Sequence, residues 1–398
     1  MAVDWQAQEA RYYMHLVNRQ PVVIERGSGS RVWDADGKEY LDCVAGWAVN
    51  NLGHTHPVVT KAIQDQAATL LQTSNQFYSI PQLRLAEVLI ENSCMDKVFF
   101  SNSGAEANEG AIKLARKYGK LHRDGAYEII TMLNSFHGRT IAMIAATGQP
   151  AYQERWEPLS PGFINVPYND LEAVKQSTST KTCAVVVEPL QGEGGVNVPS
   201  EDYLSELRQW CDENNLVLIF DEVQTGMGRL GTLWGYQTSG VEPDVMTLAK
   251  GLGNGMPVGA FLCKEKFNVL EPGDHGSTFG GNPLATAAAN AALHFMLDEH
   301  IPEKALEMGR YLESQLEKLK TKFEGVIIDV RGQGLLLAIQ FHDTISARLV
   351  SICNDKGLLL NPVRPDAIRL MPPLVITKAE VDEAVSKLET GLTELLAE

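Results

Sequence analysis

Two short apolar runs in this chain each end on a single charged residue, and no other feature restricts the fold so strongly. Leu216-Val217-Leu218-Ile219-Phe220 is followed by Asp221. Val245-Met246-Thr247-Leu248-Ala249 is followed by Lys250 and the glycine-rich Gly251-Leu252-Gly253-Asn254-Gly255. Unbroken apolar runs of this length, bounded by turn residues, fit strands covered on both faces. In an open parallel sheet, ligands bind outside the carboxyl ends of the strands. The two runs therefore predict a carboxylate and an amine at the ligand-binding end of a buried sheet.

The surrounding pattern agrees. Helical periodicity at 57–71, 82–92, 104–118 and 201–214 alternates with strand-like runs at 97–100, 127–132, 183–188, 216–221 and 244–249, with one more near 258–262. Such alternation implies a mostly parallel sheet with helices on both faces. Earlier, Arg31–Asp34 and Lys38–Asp42 flank the turn Ala35-Asp36-Gly37, a hairpin signal. Beyond the helix opening at Asn282-Pro283, the pattern changes to a charged helix at 302–322, strands at 325–331 and 335–341, and helices at 343–356 and 378–396. A chain of 398 residues exceeds one hydrophobic core. The expected organisation is an N-terminal segment, 1–59, contributing to a small domain, a large α/β domain over 60–290, and a small α+β domain over 291–398.

Charge and composition remove several function classes. A formal net charge of −16 opposes binding to nucleic acid or an anionic membrane. No apolar stretch is long enough to span a bilayer. The opening residues, MAVDWQAQEARYYMHLVN, lack an uninterrupted apolar core, which argues against a secretory signal. Cys43, Cys94, Cys183, Cys211, Cys263 and Cys353 lie far apart with no C-x-x-C pair. They read as reduced core thiols of a cytoplasmic protein, not as a disulfide framework or a zinc site. His54 and His56 have no carboxylate cluster or H-E-x-x-H signature beside them, so no metal is expected.

Ser103-Gly104-Ala105-Glu106 fits a capping box opening a helix. A helix N-terminus offers free N–H groups and a positive dipole end to a phosphate. Most capping boxes bind nothing, so this signal is weak alone. Gly276-Ser277-Thr278-Phe279-Gly280-Gly281 carries two hydroxyls among glycines, but by itself it reads as a turn before Pro283. Other phosphate and nucleophile motifs fail. The glycines at 251–255 do not satisfy G-x-G-x-x-G, neither Gly37-Lys38 nor Gly119-Lys120 is followed by Ser or Thr, and Thr278 stands where a nucleophile elbow needs serine. A carboxylate that pairs with a pyridinium nitrogen and a lysine that forms an imine are the two protein groups pyridoxal phosphate requires. Alone, Lys250 reads as a surface lysine beside a flexible loop and Asp221 as a helix cap or ion-pair partner. Their joint presence reverses that preference.

Seven blocks then occur in one order: TSNQFY (73–78), SNSGAEANEG (101–110), SFHGRT (135–140), VEPLQGEGG (187–195), FDEVQTGMGRLG (220–231), LAKGLGNGMPVGA (248–260) and HGSTFGGNPLA (275–285). Over nearly its whole length the chain resembles the class III (ω-amino acid) pyridoxal-phosphate aminotransferases, and within them the acetylornithine type. The resemblance implies a fold-type I α/β architecture, pyridoxal 5'-phosphate as cofactor, and a homodimer with shared active sites. It makes Lys250 the lysine that carries the cofactor and Asp221 the acid that keeps the pyridine nitrogen protonated. Gln224 matches a residue near the ring's phenolic oxygen, Phe136 the stacking aromatic, and Gly104 and Ala105 the phosphate-binding amides. Glu222 and Val223 fall in the same cofactor-binding block, and Thr278 matches a residue reaching the phosphate from the neighbouring subunit. Arg139 matches a carboxylate-binding arginine, since a guanidinium binds carboxylate through two parallel hydrogen bonds. Arg369 matches the arginine receiving the α-carboxylate of glutamate or 2-oxoglutarate, Glu193 the acid that pairs with it otherwise, and Ser277 a substrate contact from the partner chain. A structural ion pair is the plainer alternative for Arg369 and Glu193.

The implied activity is ping-pong transfer of the terminal amine of N-acetylornithine to 2-oxoglutarate, with a place in arginine biosynthesis. Trp47, in VAGWAVNNLGH, departs from the pattern. Acetylornithine-type enzymes have a small aliphatic residue there, and an indole would reshape the substrate end of the pocket. Ornithine, succinylornithine, 4-aminobutyrate and carrier-bound lysine remain rival donors. An aminomutase and a non-catalytic phosphate-ligand binder are alternatives from other classes.

Overall fold

In the computed structural model, which describes residues 4–398, helix α1 (Trp5–Tyr12) starts where the Asp4 carboxylate accepts the Ala7 N–H at 2.9 Å. An antiparallel ribbon follows: β1 (Ile24–Ser28), β2 (Arg31–Asp34) and β3 (Glu39–Asp42). The β2–β3 turn uses Gly37 at φ +84°, a conformation glycine adopts without steric penalty. The next turn, α2 (Ala45–Ala48), is left-handed, with φ of 48°, 64°, 63° and 61° at Ala45, Gly46, Trp47 and Ala48. Left-handed backbone costs about 1–2 kcal/mol for each residue with a side chain. Asp42 helps hold the turn: its Oδ1 accepts the N–H of Val44 (2.8 Å) and Ala45 (3.0 Å), and its Oδ2 meets His54 Nε2 at 2.8 Å.

After α3 (Pro57–Ala67) and α4 (Ile80–Glu91) the predicted alternation begins. It runs β4 (Lys97–Ser101), α5 (Gly104–His122), β5 (Glu128–Met132), α6 (Ile141–Ala146), α7 (Pro150–Gln153), β6 (Phe163–Val166), α8 (Leu171–Ser177), β7 (Thr182–Val187), α9 (Tyr203–Glu213), β8 (Val217–Asp221), α10 (Tyr236–Ser239), β9 (Val245–Leu248) and β10 (Gly259–Cys263). These strands form one seven-stranded sheet in the order β4-β10-β9-β8-β7-β5-β6. The run β9-β8-β7-β5-β6 is parallel, and only β10 lies antiparallel to its neighbours. Every residue of β7, β8 and β9 is buried, which explains why their sequences are apolar without alternation. Asp221 is the last residue of β8, and Lys250 stands two residues beyond the end of β9.

Helix α5 packs on this sheet through Ala107, Ala111, Leu114, Ala115 and Tyr118, all buried. Its glycines admit close approach. A Cβ at Gly119 would lie 2.1 Å from the Ala126 carbonyl oxygen and 2.6 Å from the Cys183 Cβ of β7. Gly119→Ala must push the helix off the sheet, so we expect it to destabilise the protein by about 1–3 kcal/mol, read as a lower midpoint of thermal unfolding.

The chain then runs through α11 (Pro283–Asp298) and α12 (Ile301–Lys322) to β11 (Ile327–Gln333), β12 (Leu336–Phe341), α13 (Ser346–Asp355), β13 (Leu358–Leu359), β14 (Asn361–Arg364), β15 (Ala367–Leu370) and α14 (Lys378–Leu395). An antiparallel sheet, β11-β12-β15-β14, carries the C-terminal layer. Strand β13 pairs in parallel with β3 and ties the N-terminal ribbon to this layer. Residue 290 falls inside α11, which packs on α3 and α4. We therefore propose the boundary of the large domain at His300, between α11 and α12. Among the described residues, the six cysteines are unpaired, no helix is long and apolar enough to cross a membrane, and no His/Cys/Asp/Glu cluster could hold a metal.

Candidate active site

One cavity of about 380 Å³ opens at the carboxyl ends of β8 and β9. Asn102, Ser103, Gly104, Ala105 and Asn108 line it from the start of α5, Phe136 to Arg139 from the loop after β5, and Glu188 and Glu193 from the loop after β7. Asp221, Val223, Gln224 and Lys250 complete its chemistry. The sequence-predicted Gly104, Ala105, Phe136, Arg139, Glu193, Asp221, Val223, Gln224 and Lys250 thus converge on one space.

Asp221 is held by three donors. Its Oδ1 accepts the Val223 N–H at 3.0 Å, and its Oδ2 accepts from Asn108 Nδ2 at 2.7 Å and meets His137 Nδ1 at 2.7 Å. Burial alone would raise this carboxyl, but His137, the Val223 N–H and Asn108 outweigh it and hold the pKa below the ordinary value. Asp221 therefore stays an anion in a dry place. Burial pulls the His137 imidazole down, and Asp221 more than compensates, so its pKa is raised. Asn108 is fixed in turn, accepting from Thr247 Oγ1 at 2.7 Å and donating to the His137 carbonyl at 2.9 Å.

Lys250 takes a left-handed φ of 44°. Burial is the main cause that lowers its pKa; Glu193 and Asp221 oppose this, while Arg369 adds to it. A depressed lysine is more often neutral and nucleophilic.

At the mouth of α5, Ser103 Oγ accepts the Glu106 N–H at 3.3 Å, one half of the expected capping box. The other half differs. Glu106 reaches back one residue further, accepting the Asn102 N–H at 2.6 Å and Asn102 Nδ2 at 2.8 Å. The N–H groups of Gly104 and Ala105, the first two of the helix, belong to the set a helix cannot satisfy internally, and both residues line the cavity. A Cβ at Gly104 would touch Val223 at 2.9 Å, so glycine is needed for this approach. An anion site, a buried carboxylate, a depressed lysine and the Phe136 ring in one cavity fit the phosphate, ring nitrogen, aldehyde and face of pyridoxal phosphate.

Arg369 and Glu193 meet at 2.9 Å, with the guanidinium fully buried. Burial opposes ionisation of Glu193, but Arg369 and then Lys250 bring its pKa down to about 2. Gln224 joins both partners, accepting from Arg369 Nη1 at 3.0 Å and donating to Glu193 at 3.2 Å. Asn361, directly across the ladder on β14, accepts from Arg369 Nε (3.2 Å) and Nη2 (2.8 Å). Arg139 is exposed and lies over the rings of Tyr152 (4.2 Å) and Phe136 (5.5 Å), which limits its freedom.

Other expectations fare differently. Glu222 does not line the cavity; its carboxylate accepts the N–H groups of Gly235 and Tyr236 in a buried turn, where burial raises it to about 7. Trp47, 52 % exposed, is also absent from the lining, and Val49, two residues on, takes part instead. Ser277 and Thr278 lie outside the cavity of their own chain; Ser277 Oγ accepts from Asn102 Nδ2 at 3.1 Å, and Thr278 is exposed. Sequence reasoning missed His137, Asn108, Glu188, Asn361 and Tyr152. Asn108, His137 and Glu188 lie within the SNSGAEANEG, SFHGRT and VEPLQGEGG blocks and so had a visible signal, whereas Asn361 and Tyr152 lie in none. Glu188, raised to about 7 mainly by burial, accepts the N–H of Phe136 (3.0 Å) and Gly192 (3.1 Å).

Comparison with known proteins extends the site to the whole chain. The family described as "Aminotransferase class-III" matches residues 12–392. An acetylornithine aminotransferase of Methanocaldococcus jannaschii is 48% identical over 395 residues, covering 98% of this chain and 98% of that protein. One from Gloeobacter violaceus is 49% identical over 380 residues, covering 95% of each. Among solved structures, an acetylornithine aminotransferase from Elizabethkingia anophelis aligns with a TM-score of 0.88 at 37% identity, covering 98% of each chain. An ornithine aminotransferase from Toxoplasma gondii, with partial occupancy of PLP at its active site, aligns with a TM-score of 0.95 at 35% identity, covering 98% of this chain and 94% of the other.

Proposed function

The chain belongs to the class III aminotransferases, and we propose that it moves the terminal amino group of N-acetylornithine to 2-oxoglutarate, giving N-acetylglutamate semialdehyde and glutamate. The observation that carries this reading is the convergence of Lys250, Asp221, Phe136 and the α5 N-terminus on one cavity that Glu193 also lines, with the wholly buried Arg369 paired to Glu193 behind it. Identities of 45–49% to acetylornithine aminotransferases over nearly the full chain support the choice of donor. The reaction would serve arginine biosynthesis in the cytoplasm.

Pyridoxal phosphate, when bound, supplies an electron sink for the pair left as the substrate carbon loses its proton. The protein's own groups do the rest. The Gly104 and Ala105 amides would hold the phosphate, Phe136 would cover the ring, and Asp221 would keep a proton on the ring nitrogen. Gln224 would meet the phenolic oxygen. Lys250 would carry the cofactor at rest and then move a proton at the amine-bearing carbon. Arg139 binds the α-carboxylate of N-acetylornithine while Glu193 covers Arg369. In the second half-reaction Glu193 swings away and Arg369 takes the α-carboxylate of 2-oxoglutarate.

A homodimer completes the site in this proposal. Ser277 and Thr278 sit on an exposed segment that Asn75 Nδ2 ties to the 73–78 loop, through the carbonyls of Ser277 (2.8 Å) and Gly280 (3.1 Å). The large apolar side chains Phe77, Tyr78 and Phe279 are exposed beside it, as expected of a surface a second copy covers.

Donor assays with 2-oxoglutarate test the function. N-Acetylornithine should give the highest kcat/KM among N-acetylornithine, ornithine, succinylornithine and 4-aminobutyrate. A strong preference for 4-aminobutyrate would overturn the substrate, and conversion of one substrate without consumption of 2-oxoglutarate would indicate an aminomutase. Arg139→Lys exchanges a two-pronged contact for a point charge. It should raise KM for N-acetylornithine about 10- to 100-fold, the value of a hydrogen bond to a charged group, with a smaller change in kcat.

A further inference from the structure

The sheet β11-β12-β15-β14 aims three arginines at the loop 191–197, and only one of them meets a side chain of the cavity lining. Arg369 meets Glu193 there. Arg331, on β11, donates from Nε to the carbonyls of Gly195 (3.1 Å) and Val196 (3.0 Å), and from Nη2 to that of Gly195 (2.6 Å). It is itself braced by Asp329 (3.0 Å) and Gln340 (3.1 Å). Arg364, at the end of β14, donates from Nε to the Gly194 carbonyl at 2.6 Å and from Nη2 to Asn134 Oδ1 at 3.2 Å.

Two features make these contacts specific to the loop. Gly195 has φ +114°, and a Cβ there would lie 2.6 Å from Arg364 Nε, so a side chain would displace the guanidinium. The loop is also closed on itself by the Gln191–Asn197 bridge and by Asn197 Nδ2 donating to Gln191 Oε1 at 2.9 Å. The contacts from Arg331 and Arg364 to this loop end on backbone carbonyls. They hold the loop's backbone and leave the Glu193 side chain as the part free to move.

We propose that Arg331 and Arg364 are positioning residues that fix the Glu193 loop to the sheet bearing Arg369, and so set how strongly Glu193 competes with an incoming carboxylate for that guanidinium. The inference rests on reading Arg369 as the carboxylate receptor. A receptor that spends most of its time closed binds its ligand more weakly by the fraction open. Loosening the loop raises the open fraction, which favours substrates using Arg369 and leaves those using only Arg139 unaffected.

The test measures each half-reaction of the holoenzyme separately by its absorbance change, with glutamate or with N-acetylornithine, in Arg364→Ala and Arg331→Lys. We expect kcat/KM for glutamate to rise on the order of three- to tenfold, with N-acetylornithine changed less than about twofold. Hydrogen exchange over 191–197 should quicken in the same variants, and Arg364→Ala should add nothing in a Glu193→Gln background. Equal changes in both half-reactions, no change in either, or an undiminished effect without Glu193 would each overturn the proposal. If Arg364→Ala does not fold, Arg364→Lys gives the same contrast. Arg369→Lys separates the premise: should it leave the glutamate half-reaction intact, the reading of Arg369 fails whatever the tether does.

Discussion

Lys250→Ala should abolish amino transfer, lowering kcat by more than about 10⁴-fold, while the protein remains folded. Removing a general acid–base group alone costs about 10²–10⁴-fold, and this lysine is also the residue proposed to carry the cofactor. In this proposal both duties fall on one side chain. Strand β9 is buried throughout and delivers the residue to the cavity, where a left-handed φ of 44° fixes its direction. Burial lowers its pKa and so keeps more of the amine neutral near neutral pH than an ordinary lysine would. Alanine keeps the backbone but has no amine. The fold should tolerate it, because the side chain lines a cavity and fills no core. The measurement is single-turnover transfer from N-acetylornithine, with a melting curve beside it. Near-normal turnover would contradict the assignment.

How far the sequence revealed this molecule depended on the reach of each signal. Strands β7, β8 and β9 were legible because full burial makes them predominantly apolar on both faces, and their ends located Asp221 and Lys250 to the residue. Short elements at the rim of the sheet were not. Strand β6 has four residues, three of them half-buried, and helices α6 and α8 have six and seven residues, too few for a periodic pattern. Arg139, Arg369 and Glu193 were singled out only through motif resemblance, since nothing local distinguishes an arginine on a strand that will meet a glutamate 176 positions away. Asn361 was missed for the same reason, its role arising from the β14–β15 register. The left-handed turn at Trp47 escaped because three of its four residues carry side chains that disfavour it, and the holding contacts come from Asp42 and His54. Glu222 shows the converse: the FDEVQTGMGRLG block placed it among the cofactor-binding candidates, yet it does not line the cavity, since successive side chains along a strand end point to opposite faces.

That alternation leaves Asp221 as the one carboxylate of the pair facing the cavity, and its proposed role at the ring nitrogen defines the second large effect. Asp221→Asn should lower kcat about 10²- to 10³-fold, the range seen when one preorganised electrostatic partner is removed from a reacting centre. The substitution preserves shape and removes the charge. It also meets a donor problem: the carboxylate accepts from Val223, Asn108 and His137, so an amide NH₂ must face at least one of those donors. A stability loss of about 1–3 kcal/mol should accompany the kinetic one. The two can be told apart. His137 owes its raised pKa to Asp221, so in the variant its imidazole should titrate at lower pH by NMR, a sign that the buried negative charge has gone. Asp221→Glu retains the charge at a displaced position and should lose less activity than Asp221→Asn if charge is what matters. Should the asparagine enzyme transfer amine within tenfold of the parent, the carboxylate would be a structural anchor for Asn108 and His137, and the ring nitrogen would need no anion beneath it.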